Sequence, residues 1–327
     1  MEIFRGISNI KFKYKKCAIT VGNFDGFHLG HRYLINNLIS YSKFKKIPSI
    51  VVIFEPQPKE YFFLDKAPPR ISNLRDKLYF FSKLNIDCII CIKFNKNFAE
   101  MTFYEFIHIF LYEKLNINSI FVGNNFCFGK DKIGNVNILK KFGKKLNFDV
   151  FSFDIKKKYN YVISSTFLRN KLEEGMFREA YKIMGHPYQI SGRVAYGNSL
   201  GKKIGFPTIN INLFKKIPIS GVYCSLIFFN NIFLEGVSNV GIKPTFGLNK
   251  KKVLETHLFN FKCKLDLYKK HVIIIILEKI RKEIKFNSVF ELIKQIEKDI
   301  VYSKLYFKNN SFFVKILKKR FHNDKYI

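Results

Sequence analysis

The chain has 327 residues, 47% of them hydrophobic, with 57 Lys and Arg against 25 Asp and Glu, a formal net charge of +32. That length suits two domains, and the apolar share is ample for two cores; no run of about 18 uncharged apolar residues occurs, so no membrane span is expected. The basic excess is spread through the whole chain, which is also heavy in Lys, Asn, Ile and Phe and lacks Trp; with no nucleic-acid module beside it, it reads as compositional drift, and no nucleic-acid partner is expected.

In chain order, Met1-Glu2-Ile3-Phe4-Arg5 lacks the apolar stretch of a signal peptide, and a cytoplasmic protein is expected. Cys17 to Val21 is an apolar run that reads as a buried strand, and Leu29 to about Tyr41 has helical periodicity. Between them stands Gly22-Asn23-Phe24-Asp25-Gly26-Phe27-His28-Leu29-Gly30-His31. Strand, tight turn and helix N-terminus form an anion site, because the first helical N–H groups have no partner inside the helix. His28 and His31 can donate hydrogen bonds to a phosphate there, and Gly30, with no side chain, lets a polyphosphate approach the backbone. Asp25 either fixes the Asp-Gly turn or touches substrate.

Further strands are expected at 48–54, 86–92, 119–122 and 149–153, and helices at 72–84, 102–114, 136–146 and 165–184. Apolar strands alternating with helices imply a parallel sheet covered on both faces, with ligands beyond the carboxyl ends of its strands. The Gly22–His31 turn and the Gly123–Gly129 segment both follow strands and belong on that edge. Cys88 and Cys91 have metal-site spacing, but three residues apart on a strand they face opposite ways. No second Cys/His pair stands near, so the six cysteines read as reduced core residues.

The texture changes near Gly185-His186-Pro187-Tyr188. Short strands at 188–196, 206–212, 221–230, 232–240, 254–261 and 271–278, separated by Gly, Pro and Asn turns, suggest an antiparallel sandwich or barrel. An amphipathic helix from Ser288 to Phe307 closes this half, and the polar, basic residues 308–327 are expected to fray. The division expected is 1–184 and 185–327.

The first motif, G-x-F-D-G-x-H-x-G-H, resembles that of nucleotidyltransferases that move an adenylyl group from ATP. Three more segments extend the likeness: Phe54-Glu55-Pro56-Gln57-Pro58, Val122-Gly123-Asn124-Asn125-Phe126-Cys127-Phe128-Gly129, and Ile163-Ser164-Ser165-Thr166-Phe167-Leu168-Arg169. Two hydroxyl residues before a helix are ordinary caps; Arg169 a few residues on adds a phosphate partner. In the second half, Gly192 to Asn210 resembles the riboflavin kinase loop, with Gly197, Gly201, Gly205, Pro207, Thr208 and Asn210 in place. Glycine N–H groups suit phosphate, and Thr and Asn oxygens suit Mg²⁺. Gly236 to Phe246 matches a second element of that family with Asn239 kept and Lys243 where Arg is usual, and Leu254-Glu255-Thr256-His257-Leu258-Phe259-Asn260 a third. Ile280 to Phe286 contains Arg281, and Tyr268-Lys269 lacks a usual glycine.

From about Phe4 to Tyr306 the chain thus resembles the bacterial bifunctional riboflavin kinase/FAD synthetase family. The resemblance implies a Rossmann-like nucleotidyltransferase domain with a parallel sheet, followed by an antiparallel β-barrel kinase domain with a terminal helix. It implies phosphorylation of riboflavin to FMN by the second and adenylylation of FMN to FAD by the first, with ATP as co-substrate and Mg²⁺. It implies that His28 and His31 stabilise charge on the transferring phosphate. Gly22, Phe24, Asp25, Gly30, Asn125, Ser164, Ser165, Thr166 and Arg169 would line the same substrates. In the kinase it implies Glu255 as base, Thr208 and Asn210 at the metal, and Gly197, Gly201, Gly205, Asn239 and Arg281 at the nucleotide or flavin. His257 is read as structural. A monomer or weak oligomer is expected. The rivals are a relative with one surviving activity and a basic nucleic-acid binder.

Overall fold

A computed structural model describes residues 1–6, 16–154, 163–197, 200–213, 216–243, 251–259 and 267–322. Two compact units emerge, one of residues 1–68 and 77–164, the other of 69–76 and 165–327.

The first unit is built on a six-stranded parallel sheet, in the order β1 (Glu2–Arg5), β4 (Cys88–Ile92), β3 (Ser49–Phe54), β2 (Cys17–Val21), β5 (Ile117–Gly123) and β8 (Asp149–Phe153). The interior strands are apolar without alternation, as strands buried on both faces must be. Every residue of β2 and β3 is buried. β1 escaped the sequence reading because it is a four-residue edge strand, mostly exposed, with no apolar run to announce it. Helices α1 (Leu29–Lys45), α2 (Pro58–Phe63), α3 (Leu74–Ser82), α4 (Lys96–Ala99), α5 (Phe103–Glu105) and α6 (Val136–Leu146) connect the strands, α5 running on as a π-helix over Phe106–Lys114. A two-stranded ribbon, β6 (Cys127–Phe128) with β7 (Gly134–Asn135), follows β5. From β2 the chain works outward through β3, while β5 lies on β2's other side. The β2/β5 crevice is therefore the switch point of the sheet, where α/β folds bind ligands.

The second unit is a closed antiparallel barrel. Its strands run β10 (Thr208–Leu213), β13 (Lys251–Leu258), β12 (Ile232–Lys243), β11 (Gly221–Phe229), β14 (His271–Arg281) and β9 (Gln189–Ala195). Where the sequence suggested one helix over 165–184, two form: α7 (Ser165–Glu173) and α8 (Phe177–Met184). Gly175 separates them at φ +82°, a left-handed stop that a side chain disfavours. Both helices pack on the barrel. Leu168, Leu172, Phe177, Ala180 and Met184 share one buried cluster with Tyr188, Ile190, Tyr223 and Ile274. The packing boundary therefore falls at 164/165, ahead of the textural change at 184/185.

A second departure lies at the C-terminus. After a short α9 (Leu200–Lys203), helix α10 (Val289–Asn309) is as expected, but the described segment beyond it, as far as His322, is helical. It forms α11 (Ser311–His322), which buries Val314, Leu317 and Phe321 against Cys224, Leu226 and Ile275. Those three apolar residues share one helical face, and the surrounding lysines hid them from a compositional reading.

Residues 69–76 are tied to the barrel through polar contacts. Asn73 Nδ2 donates to the Ser191 carbonyl at 3.1 Å. Burial pushes the Asp76 carboxyl up to about 6, while the nearby polar groups of Ser191 and Gln189 oppose the shift. A carboxyl raised in the folded state stabilises the fold fully below its unfolded value near 3.8, and loses that contribution as pH rises through about 6. Asp76→Asn cannot ionise. It is expected to raise the thermal midpoint at pH 8, by up to about 3 kcal/mol of stability, and to change it little at pH 4. An equal effect at both pH values would show that this carboxyl ionises without cost.

Candidate active sites

In the first unit the chain leaves β2 at Val21 and enters α1 eight residues later. Phe24 and Phe27 take positive φ, +48° and +39°, as does Gly26 at +79°. These rare conformations for bulky residues are held by packing. Phe24 is buried and meets Phe81 edge-on at 5.5 Å, and Phe27 stacks on Phe80 at 5.2 Å. Phe24 also braces the His31 ring edge-on at 5.2 Å, so it shapes the turn from within its core. Gly22 N–H donates to the Val52 carbonyl, and a side chain at Gly22 would crowd the Phe24 ring.

His28 is the N-cap of α1. Its Nδ1 accepts the His31 N–H at 3.3 Å. A ring nitrogen that accepts carries no proton, so the His28 proton sits on Nε2, ready to donate. The two imidazoles are stacked, centroids 3.6 Å apart and planes 15° apart. Burial holds the His31 pKa well below its usual value, helped by His28 and by the Lys77 ammonium. His31 Nδ1 is buried with no hydrogen-bond partner. Asp25 and Gly30 are buried in the same turn. Asn125 is exposed in the turn after β5, on the carboxyl edge beside β2. Ser164 ends the described part of the first unit. Ser165, Thr166 and Arg169 belong to α7 in the second, where Arg169 Nε donates to the Pro69 carbonyl at 2.6 Å. Lys77 was missed in the sequence because nothing in Arg75-Asp76-Lys77-Leu78 marks one lysine among so many.

In the second unit the register of the barrel assembles the site. Asn210 on β10 stands opposite Glu255 on β13, and Glu255 stands opposite Asn239 on β12. One step along, Thr208, His257 and Val237 form the next row on the same face, since side chains two apart on a strand point the same way. The intervening Thr256 points oppositely and joins a buried hydroxyl ladder through Ser238 to Ser225, at 2.8 and 2.6 Å. The two rows line a cavity of about 490 Å³. Its far wall is apolar: Ile284, Phe286, and Leu292, Ile296 and Ile300 from one face of α10. A Cβ at Gly197 would overlap the Asn210 carboxamide, and one at Gly201 would overlap the Phe206 carbonyl. Both glycines thus permit a backbone approach that other residues would block. Gly205 takes φ +90° in open space.

His257 Nδ1 lies 2.9 Å from the Pro207 carbonyl, so it donates there and braces the loop before Thr208. Arg281 lines the cavity, but its guanidinium grips Asp299 through Nε at 3.0 and 3.1 Å and Nη2 at 2.7 Å, and its other arm donates to the Lys282 carbonyl. It joins β14 to α10. Glu283 also reaches the cavity beside Gly241; burial raises its pKa, with Lys252 and Arg281 opposing. Neither Glu283 nor the α10 wall was singled out in the sequence, although Leu292, Ile296 and Ile300 repeat at helical spacing. Asn198, Ser199, Pro244, Thr245, Phe246 and Asn260 lie outside the described residues.

Among the described residues no three His, Cys, Asp or Glu groups converge to hold a metal. The Thr208 hydroxyl and Asn210 carboxamide are neutral oxygen donors on one face. That set fits Mg²⁺, which takes few protein ligands when nucleotide phosphates complete its octahedron. No helix is long and apolar enough to cross a membrane among the described residues.

Residues 11–167 match the family described as FAD synthetase, and residues 184–307 the family described as riboflavin kinase. A bifunctional riboflavin kinase/FMN adenylyltransferase of Buchnera aphidicola subsp. Schizaphis graminum is 42% identical over 94% of this chain and 99% of its own. The enzyme of the same description from Escherichia coli K12 is 37% identical over 94% and 98%. A crystal structure from Streptococcus pneumoniae, described as a macrolide-efflux protein, superposes with a TM-score of 0.75 at 25% identity, covering 93% of this chain and 99% of that one. The order of the two matched regions, the parallel sheet with its histidine turn and the closed barrel with its Asn-Glu-Asn row agree with one another: this chain belongs to the bifunctional riboflavin kinase/FMN adenylyltransferase family.

Proposed function

We infer that the two activities divide by sequence near 184/185, with FMN adenylylation assigned to the first part and riboflavin phosphorylation to the second. The observation that carries the kinase reading is the Asn210–Glu255–Asn239 row with Thr208 beside it, facing a cavity of small-molecule size. Its apolar wall suits the flat flavin ring, and its polar rows suit the ribityl end and the phosphates. Glu255 accepts the proton of the ribityl 5′-hydroxyl as that oxygen attacks the γ-phosphorus of ATP, and ADP leaves. Thr208 and Asn210 hold Mg²⁺, which neutralises phosphate charge when bound. Arg281, committed to Asp299, fixes α10 so that its apolar face walls the flavin.

In the first unit, a phosphate oxygen of FMN attacks the α-phosphorus of ATP and pyrophosphate leaves. His28 Nε2–H and the His31 imidazole donate to the phosphate in flight. Gly22 and Gly30 let the substrates approach the turn, Asp25 and Phe24 keep its shape, and Asn125 positions phosphate from the neighbouring strand end. Only the sequence resemblance assigns Ser164, Ser165, Thr166 and Arg169 to the β- and γ-phosphates; the last three pack with the second unit. The work is alignment and charge neutralisation, with no covalent intermediate. The setting is cytoplasmic, and the chain acts as a monomer or weak oligomer without nucleic acid or membrane.

Incubation with riboflavin, ATP and Mg²⁺ is expected to yield FMN and then FAD, separable by chromatography. FMN alone would leave only the kinase, and neither product would remove both assignments. In the same assay Thr208→Val, which keeps the shape and deletes the oxygen, is expected to lower FMN formation and raise the Mg²⁺ needed for half activity. Unchanged activity and Mg²⁺ dependence would place the metal elsewhere.

A further inference from the structure

Segment 69–76 and strand β9 border a second cavity, of about 620 Å³, and every residue lining it belongs to the second unit. Gln189, Ser191 and Arg193 alternate along β9 and so share one face. Burial falls off along that face: Gln189 and Ser191 are buried, and Arg193 is exposed. The first turn of α3 repeats the pattern, with Asp76 buried and Arg75 exposed. Asn73 ties the two sides together through the Ser191 carbonyl. Gln189 and Ser191 stand near the Asp76 carboxyl in this cavity. Yet Asp76 Oδ1, Gln189 Nε2 and Oε1, and Ser191 Oγ are all buried with no hydrogen-bond partner among the described residues. Buried polar atoms are rarely left so. Here they converge on a space large enough for a whole small molecule.

The unmet atoms define what would meet them. The Gln189 carboxamide offers a donor and an acceptor side by side. That pair matches a planar ring edge bearing the complementary two, as a purine edge does. Ser191 and Asp76 add further polar partners beside it. Ile71, Leu74, Ile190 and Leu213 supply apolar walls for the faces of a ring. Arg75, Arg193 and Lys269 line the cavity as exposed cations, which suit a phosphate. We propose that this cavity is a nucleotide-binding site separate from the Thr208–Glu255 cavity, holding a planar base by its edge at Gln189 and the phosphate at Arg75, Arg193 and Lys269. The two cavities share no lining residue. They are neighbours all the same, since Ala195 of this one is the register partner of Asn210 in the other. Adenine and flavin nucleotides both carry the required chemistry, a donor–acceptor ring edge joined to a phosphate. The site goes beyond both catalytic assignments and does not depend on either.

Isoleucine methyl NMR of the full chain tells the two cavities apart. Ile71, Ile190, Ile211 and Ile217 line this one, and Ile284, Ile296 and Ile300 line the other. AMP and FMN are titrated separately, with adenosine and riboflavin as their counterparts without phosphate. At least one of the two nucleotides is expected to shift the Ile71, Ile190, Ile211 and Ile217 methyls saturably, and which one does so identifies the source. Its counterpart without phosphate is expected to bind there about tenfold more weakly, the loss of one charge-assisted contact. Gln189→Leu keeps the size and deletes the donor–acceptor pair. It is expected to weaken these shifts by about tenfold or more, while shifts at Ile284, Ile296 and Ile300 stay as in the parent. Ser191→Ala takes its place if that chain does not fold. Arg193→Gln is expected to weaken the nucleotide and leave its counterpart unchanged. Shifts confined to Ile284, Ile296 and Ile300 with both nucleotides overturn the proposal. Parent-like binding by Gln189→Leu, or equal affinity with and without the phosphate, overturns it as well.

Discussion

Replacing Glu255 by Gln is expected to lower FMN formation from riboflavin by about 10²–10⁴, the range for loss of a general base. Glu255 is half-buried between Asn210 and Asn239 in the row across β10, β13 and β12. Its two neighbours are carboxamides, which can position a hydroxyl but cannot take its proton. The exchange is nearly isosteric and removes no apolar packing, so the barrel should stand. A thermal midpoint within a few degrees of the parent would establish that. The same variant, given FMN and ATP, is expected to make FAD at close to the parent rate, because residues 1–68 and 77–164 are untouched. Added FMN thus bypasses the defect. Normal phosphorylation by Glu255→Gln would make the residue a solvated strand side chain. A further candidate would then be Glu283, whose carboxyl faces the same cavity and is raised by burial.

Most of the architecture was legible from local pattern. β2, β3 and β4 are unbroken apolar runs, and such runs have few alternatives to a buried parallel strand. The histidine turn was legible because strand, glycines and helix lie contiguous in sequence. Glu255 and Thr208 were legible through their motifs, but their meeting was not. The Asn210–Glu255–Asn239 row depends on register between residues 45 and 16 positions apart, and hydropathy does not encode register across strands. Lys77 and the α10 wall were missed for a related reason. Lys77 is buried only because the turn folds over α3, and Leu292, Ile296 and Ile300 read as any amphipathic face. Arg281 was legible as a site residue by position, but its bidentate grip on Asp299 was not. The tail beyond 308 was misjudged because lysines outnumber the three apolar residues that α11 buries.

Removing either imidazole is expected to block FAD formation and spare FMN formation. His28 and His31 stand one helical turn apart at the start of α1, rings stacked, with the His28 proton directed to Nε2 by its Nδ1 acceptor bond. Losing one preorganised donor of this kind typically costs about 10²–10³ in rate. His28→Ala also deletes the N-cap of α1, a loss of about 1 kcal/mol in stability, so His28→Asn is the cleaner variant. Asn caps a helix well and is too short to replace Nε2, and it should keep the fold while losing adenylylation. His31→Ala removes the ring that Phe24 braces and exposes the same donor deficit from the other side. The losses should not add in the double variant, because the two rings act on one phosphate as a stacked unit. Kinase turnover measured in the same samples is the control. If folded His28→Asn and His31→Ala lose both activities in proportion, the two reactions share this turn and the assignment of one activity to each domain fails. If both variants make FAD at the parent rate, the turn binds its phosphate without the histidines, and the backbone amides of α1 are left to do it.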